Sequence, residues 1–221
     1  PESSQNQTPR FLAGLGQIFG SLPDKALSEA LCKDQELVIH LAGLAHVNAS
    51  PQALKQHHLE ATLTLAEAAQ TAGVQRFIYI SSSKARYPEH SAYANIKAET
   101  EWQLQKSHAT GSFELQCLRP ALVYGQGMQG NLASLLRILS RPSLPLFVKS
   151  SNELGMISVH DLCKAILSIV EAGGLPPGIW DLSDGQSYTL DEIVYHVRSK
   201  LGLAQPTLYV PVPLVQLAAG L

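Results

Sequence analysis

The chain has 221 residues, 45% of them hydrophobic and 15% charged, with a formal net charge of −2. That is enough apolar material for one large α/β domain, or for a nucleotide-binding domain with a smaller appendage. The charge balance gives no electrostatic reason to expect nucleic acid or an anionic membrane surface as a partner. Cys32, Cys117 and Cys163 are widely spaced, with no CxxC, which argues against disulfide and zinc sites and favours a reducing, cytoplasmic setting.

Pro1 to Arg10 is polar and lacks the apolar core of a signal peptide. Gln17 to Gly20 is a short strand candidate, followed by a helix from Pro23 to Leu31. Leu37 to Ala42 (LVIHLA) spells a buried strand, and Leu54 to Ala72 a long helix with Gly73 as its C-cap. Arg76 to Ile80 (RFIYI) is the next strand, stopping at three serines. Ala92 to Ser107 is helical, and Phe113 to Leu118 (FELQCL) is a strand closed by Arg119-Pro120.

Beyond Pro120 the texture becomes richer in Pro and Gly. Asn131 to Leu139 and His160 to Ala172 are predicted helices, the second opened by a His160-Asp161 capping pair. Gly178 to Leu182 is a strand. Thr189 to Leu201 is a helix with Thr189 as N-cap, Glu192 completing a capping box and Gly202 as the stop. The apolar tail from Leu208 to Leu221 is too short and too broken by proline to span a bilayer, which needs roughly 20 residues. Both ends read as cut edges.

Strands alternating with helices predict a doubly wound parallel α/β sheet, Rossmann-like, with its chemistry at the carboxyl ends of the strands. Ala42-Gly43, Ser81-Ser82-Ser83 and Pro120 to Gly125 are three such ends, expected to open onto one crevice.

Tyr93 and Lys97 lie four apart in a helix, on one face and one turn apart. A tyrosine with its ordinary pKa of about 10 is a poor base near neutrality. A nearby ammonium stabilises the phenolate, and a shift of about three units is worth roughly 4 kcal/mol. The spacing alone is weak evidence in a chain with seven tyrosines. The order raises its value: apolar strand, serine cluster, Tyr-x-x-x-Lys helix, then a strand ending in Arg-Pro. Other chemistries lack support. No HExxH or Gly-x-Ser-x-Gly occurs, and the adjacent His57 and His58 point to different helix faces.

The segments VIHLAGLAHV (38–47), GVQRFIYISSSKA (73–85), YANIKAETEW (93–102), LRPALVYGQGMQGNLASLLRIL (118–139) and IWDLSDGQSYTLDEI (179–193) resemble the extended short-chain dehydrogenase/reductase family. Within it they look most like bacterial UDP-N-acetylhexosamine 4-epimerases of polysaccharide synthesis. The resemblance implies Tyr93 as acid/base, Lys97 as its support and ribose ligand, and Ser82 as the substrate-positioning serine, with Ser83 a near alternative. It places Leu41, Ala42 and Gly43 along the adenosine half of the cofactor, and Ser81, Pro120, Leu122 and Val123 near the nicotinamide. Ser83, Lys84 and Asn131 would face the substrate. The implied cofactor is NAD, with NADP as the alternative, and the implied substrate a nucleotide sugar, whose C4 hydride is removed and then returned to the other face. A homodimer is implied too, with no membrane span and no metal. Residues 1–119 would form a partial dinucleotide-binding region, and 120–221 mainly a substrate region interleaved with the sheet.

Three departures accompany the resemblance. Gly14, Gly16 and Gly20 spell GxGxxxG, but no strand precedes them and Pro23 follows where a helix should run. This segment therefore reads as a third strand and its turns, and the first βαβ half-unit with its phosphate loop is missing. Ten residues separate Ser82 from Tyr93, fewer than the family's sugar-covering loop. Glu153, Leu154 and Gly155 stand where relatives carry a diphosphate-binding arginine, and His58 stands where an asparagine is usual. A dehydratase would need acids beside Ser82. A keto-sugar reductase and a non-catalytic regulator of the same fold stay as alternatives.

Overall fold

The computed structural model describes residues 16, 18–44, 49–108, 113–128, 130–144, 146–150 and 152–211. Four parallel strands form its main sheet, in the order β1 (Leu37–His40), β2 (Arg76–Ile80), β3 (Glu114–Pro120) and β7 (Gly178–Leu182). Their register runs Ile39 to Ile78, Ile78 to Gln116 and Leu118 to Trp180.

Alternation along RFIYI sends Phe77 and Tyr79 to one face of the sheet and Ile78 to the other. The first face is covered by α1 (Lys25–Cys32), α3 (Ala61–Thr71) and α4 (Ala92–His108), in a core of Phe77, Tyr79, Leu65, Ala69, Leu104 and Leu115. The second is covered by α6 (Val159–Glu171), whose Leu162, Ile166 and Ile169 meet Ile78 and Leu118. Helices on both faces make the sheet doubly wound.

The helix expected from Leu54 is three segments. A short α2 (Pro51–Leu54), capped by Ser50, runs into a π turn (Lys55–Glu60) and then α3. Gly73 follows with φ +75°, the left-handed conformation that stops a helix.

Ile18–Gly20 carry no regular structure, so the strand expected there is not found; Gln17 and Gly14 lie outside the described residues. LVIHLA pairs only as far as His40, leaving Leu41, Ala42 and Gly43 as its open tip. Conversely β3 pairs through Arg119 and Pro120, because Leu182 of β7 extends the ladder beside them.

Short strands unforeseen in the sequence make up the second region. β4 (Leu122–Tyr124), β6 (Glu153–Ser158) and β8 (Ser187–Thr189) form one sheet, and β5 (Leu146–Lys149) pairs with β9 (Leu208–Pro211). With α5 (Gly130–Leu139) and α7 (Leu190–Lys200) they enclose a core that includes Leu139, Met156, Ile193 and Val194. The capping box of Thr189 and Glu192 forms as expected. At α6 the cap is Ser158, whose hydroxyl accepts from the Asp161 amide at 3.0 Å, so the His160-Asp161 pairing is corrected to Ser158-Asp161. Trp102 is 56% exposed on α4, with the Lys106 ammonium over its ring.

Candidate active site

The carboxyl ends of β2 and β3 frame a crevice of about 730 Å³. Ser81, Ser82, Ser83 and Lys84 form one wall, Tyr93 another, and Pro120, Leu122 and Val123 lie along the β3–β4 corner. Glu153, Leu154 and Gly155 of β6 close the far side. Ser82 is extended and caps a 3-10 turn (Ser83–Arg86), accepting from the Lys84 amide at 3.3 Å. A second 3-10 turn (Pro88–His90) leads into α4, so the short link from Ser82 to Tyr93 is a continuous, ordered path. Ser91 opens α4 by accepting from the Ala94 amide at 3.1 Å.

Tyr93, Lys97 and Ser82 are brought together, but not as simply as helical spacing implies. The Lys97 ammonium is 6.0 Å from the Tyr93 ring centroid and donates to the Ile80 carbonyl at 3.0 Å. It also lies over the Tyr79 ring, 4.7 Å from the centroid. Burial holds the Tyr93 phenol above its ordinary pKa, and a side-chain hydrogen bond with Ser82 pulls it partly back. Lys97 gives its short hydrogen bond to Ile80, and burial holds Tyr93 toward its protonated form. Lys97 is only 4% exposed, and burial lowers its pKa to about 8 against the opposing pull of Glu101.

Glu101, one turn beyond Lys97, is 1% exposed and takes a two-oxygen grip from Arg119, with Nε 2.9 Å from Oε1 and Nη2 2.5 Å from Oε2. That pair ties α4 to the end of β3. Arg119 stood out in the sequence only as the end of its strand, and the pairing with Glu101 was not foreseen.

Leu41 and Ala42 line a separate apolar groove of about 380 Å³ along β1, with Leu22 and Leu31. Gly43, at φ +156°, packs against His58: a Cβ there would lie 2.7 Å from Nδ1. His58 donates through Nε2 to the Leu44 carbonyl, 3.1 Å away. A carbonyl only accepts, so Nε2 carries the proton and Nδ1 is a bare lone pair. Its ring stands edge-on to Tyr93, centroids 5.5 Å apart. His40 and His58 are both held neutral, their pKa values lowered to about 4 by burial and then by the Lys97 charge. Asn131 sits in α5, and its side chain lies outside the described residues.

The residues present fit the nicotinamide-ribose end of a dinucleotide. Lys97 has two ammonium hydrogens beyond the one it gives Ile80, and the buried Ser81 hydroxyl and His58 Nδ1 have no partner among the described residues. A glycine-rich cradle for the pyrophosphate is not among the described residues.

Residues 3–182 match the family model described as the NAD dependent epimerase/dehydratase family. A UDP-glucose 4-epimerase of Vibrio cholerae is 30% identical over 203 residues, covering 82% of this chain and 61% of that protein. A ceramide reductase of Caulobacter vibrioides is 28% identical over 206 residues, covering 92% of this chain and 62% of that protein. The chain thus spans about three-fifths of the length of these curated relatives. Among solved structures, a dTDP-glucose 4,6-dehydratase of Streptomyces venezuelae with NAD bound shares the fold, with a TM-score of 0.73, 23% identity, 87% of this chain covered and 66% of that one. With the match running through both the strand-end serines and the Tyr93–Lys97 helix, the chain belongs to the NAD dependent epimerase/dehydratase family.

Proposed function

We propose that the crevice is the catalytic site of an NAD-dependent nucleotide-sugar C4 epimerase, acting on a UDP-hexose or UDP-N-acetylhexosamine through a 4-keto intermediate. The observation that carries this reading is the convergence of the Tyr93 phenol, the Ser82 hydroxyl and the Lys97 ammonium at the carboxyl end of β2, in a member of this family.

Lys97 and Ser81 hold the nicotinamide-ribose end of the dinucleotide, with Pro120, Leu122 and Val123 packed beside it. Leu41, Ala42 and Gly43 take the adenosine half. NADP in place of NAD is the alternative. When bound, the dinucleotide supplies reversible hydride acceptance. Ser82 and Ser83 orient the sugar oxygen, with Lys84 and Asn131 on the substrate side. Tyr93, neutral in its buried setting, gives a proton to the oxygen of the 4-keto sugar. The opposite half-reaction needs its phenolate, which the hydrogen bond with Ser82 favours and which the Lys97 ammonium, 6.0 Å from the ring centroid, would stabilise further.

A second reading, net reduction of a ketone, is favoured by the same neutral phenol, because reduction needs only proton donation. A cytoplasmic homodimer is proposed for the assembly, supported by the exposed Trp102 on α4. Among the described residues no helix is long and apolar enough to cross a membrane.

The test is a UDP-hexose deuterated at C4, incubated with the protein and NAD and followed by NMR. Epimerisation gives the C4 epimer with deuterium retained. Product without the epimer, or deuterium lost to solvent, contradicts the reading.

A further inference from the structure

Two ammonium groups stand around the Tyr93 ring. Lys97 is buried beneath it and committed to Ile80. Lys84 is exposed to the crevice, its Nζ 5.9 Å from the ring centroid. Its backbone amide is held by the Ser82 hydroxyl at 3.3 Å, so its origin is fixed relative to the serine that orients substrate.

The charges nearby are otherwise engaged or of opposite sign. Arg86, two residues on, is ion-paired with Asp181. Glu153 is the one acid among the described residues lining the crevice, and it makes no ion pair with Lys84. Lys84 is therefore a cation with no acidic partner among the described residues, placed beside the group that handles the reacting oxygen.

We propose that Lys84 selects nucleotide sugars carrying a carboxylate on the carbon next to the reacting one, hexuronates rather than neutral hexoses; this rests on the crevice being a nucleotide-sugar C4 site. In a pyranose the exocyclic carbon hangs from C5, which is bonded to C4, so its charge falls beside the acid/base. The diphosphate hangs from C1, across the ring from C4, so its charge falls farther from the acid/base than a group on C5 does. A carboxylate in this crevice gains a charge-assisted hydrogen bond from Lys84, stronger than one between neutral groups.

The experiment is calorimetric binding of UDP-glucuronate, UDP-glucose and UDP to the NAD-supplemented protein, as wild type, Lys84→Met and Lys84→Arg. The wild type should favour UDP-glucuronate over UDP-glucose by about tenfold, the magnitude of one charge-assisted bond. That ratio should fall to near one in Lys84→Met and survive in Lys84→Arg. Equal affinities in the wild type, or a preference that persists in Lys84→Met, overturn the proposal. Parallel weakening of all three ligands in Lys84→Met also overturns it, by assigning Lys84 to the diphosphate. If UDP and both sugars fail to bind the wild type, the nucleotide-sugar reading falls and takes the proposal with it.

Discussion

The Lys97 ammonium donates to the carbonyl of Ile80, 3.0 Å away, and not to the phenol of Tyr93. The last residue of β2 thereby holds the cation that the neighbouring helix presents, and the strand tip, the lysine and the proposed ribose site become one unit. With its pKa at about 8, Lys97 loses its charge within an accessible pH range. Dinucleotide affinity, followed by fluorescence titration, is expected to be constant below pH 7.5 and to fall above about pH 8. Lys97→Met should show weak binding with no such inflection.

The ion pair of Glu101 and Arg119 predicts a different kind of loss. Glu101→Gln leaves the guanidinium largely buried and without its counter-charge, which costs about 3 kcal/mol. It also removes the charge that raises the Lys97 pKa, so the inflection above should move to lower pH. Urea unfolding measures the first effect and the titration the second.

His40 and His58 make the fold sensitive to acid. Each has a folded-state pKa near 4, below the ordinary 6.5, so the unfolded chain binds more protons between those values. The stability these groups contribute is complete above pH 6.5 and is lost as pH falls toward 4. His40 also bonds Thr62 at 3.0 Å, and Thr62 in turn donates to the His58 carbonyl, which joins β1 to the π turn. His58→Asn should flatten the decline in unfolding free energy between pH 6.5 and 4.

Arg198 is fully buried in α7 and donates to the carbonyls of Leu139, Arg141 and Pro142, at 2.8, 2.9 and 3.3 Å. It satisfies the C-terminal end of α5 from a neighbouring helix. Arg198→Met leaves those carbonyls unpaired and should cost about 3 kcal/mol in chemical denaturation, with little change at the crevice.

The main sheet was legible because its strands are apolar runs bounded by turn signals, RFIYI most clearly. The serines and the Tyr93–Lys97 helix followed from their order along the chain. In the second region the helices α5 and α7 were legible but the small strands were not: β4, β6 and β8 are short and half exposed, and their partners lie far away in sequence, as with Glu153 and Thr189. The bond from Lys97 to Ile80 was not legible, because spacing along a helix gives the distance between two side chains and says nothing of a strand carbonyl that captures one of them. The π turn was invisible for a related reason: its composition is that of any polar helix.

The role of Tyr93 is tested most directly by Tyr93→Phe, assayed with UDP-N-acetylglucosamine and NAD for the C4 epimer, beside circular dichroism and dinucleotide titration. Loss of the proton-transferring hydroxyl should lower epimer formation by about a hundredfold or more while fold and dinucleotide binding persist. Epimer formed at the wild-type rate by that variant would contradict the account.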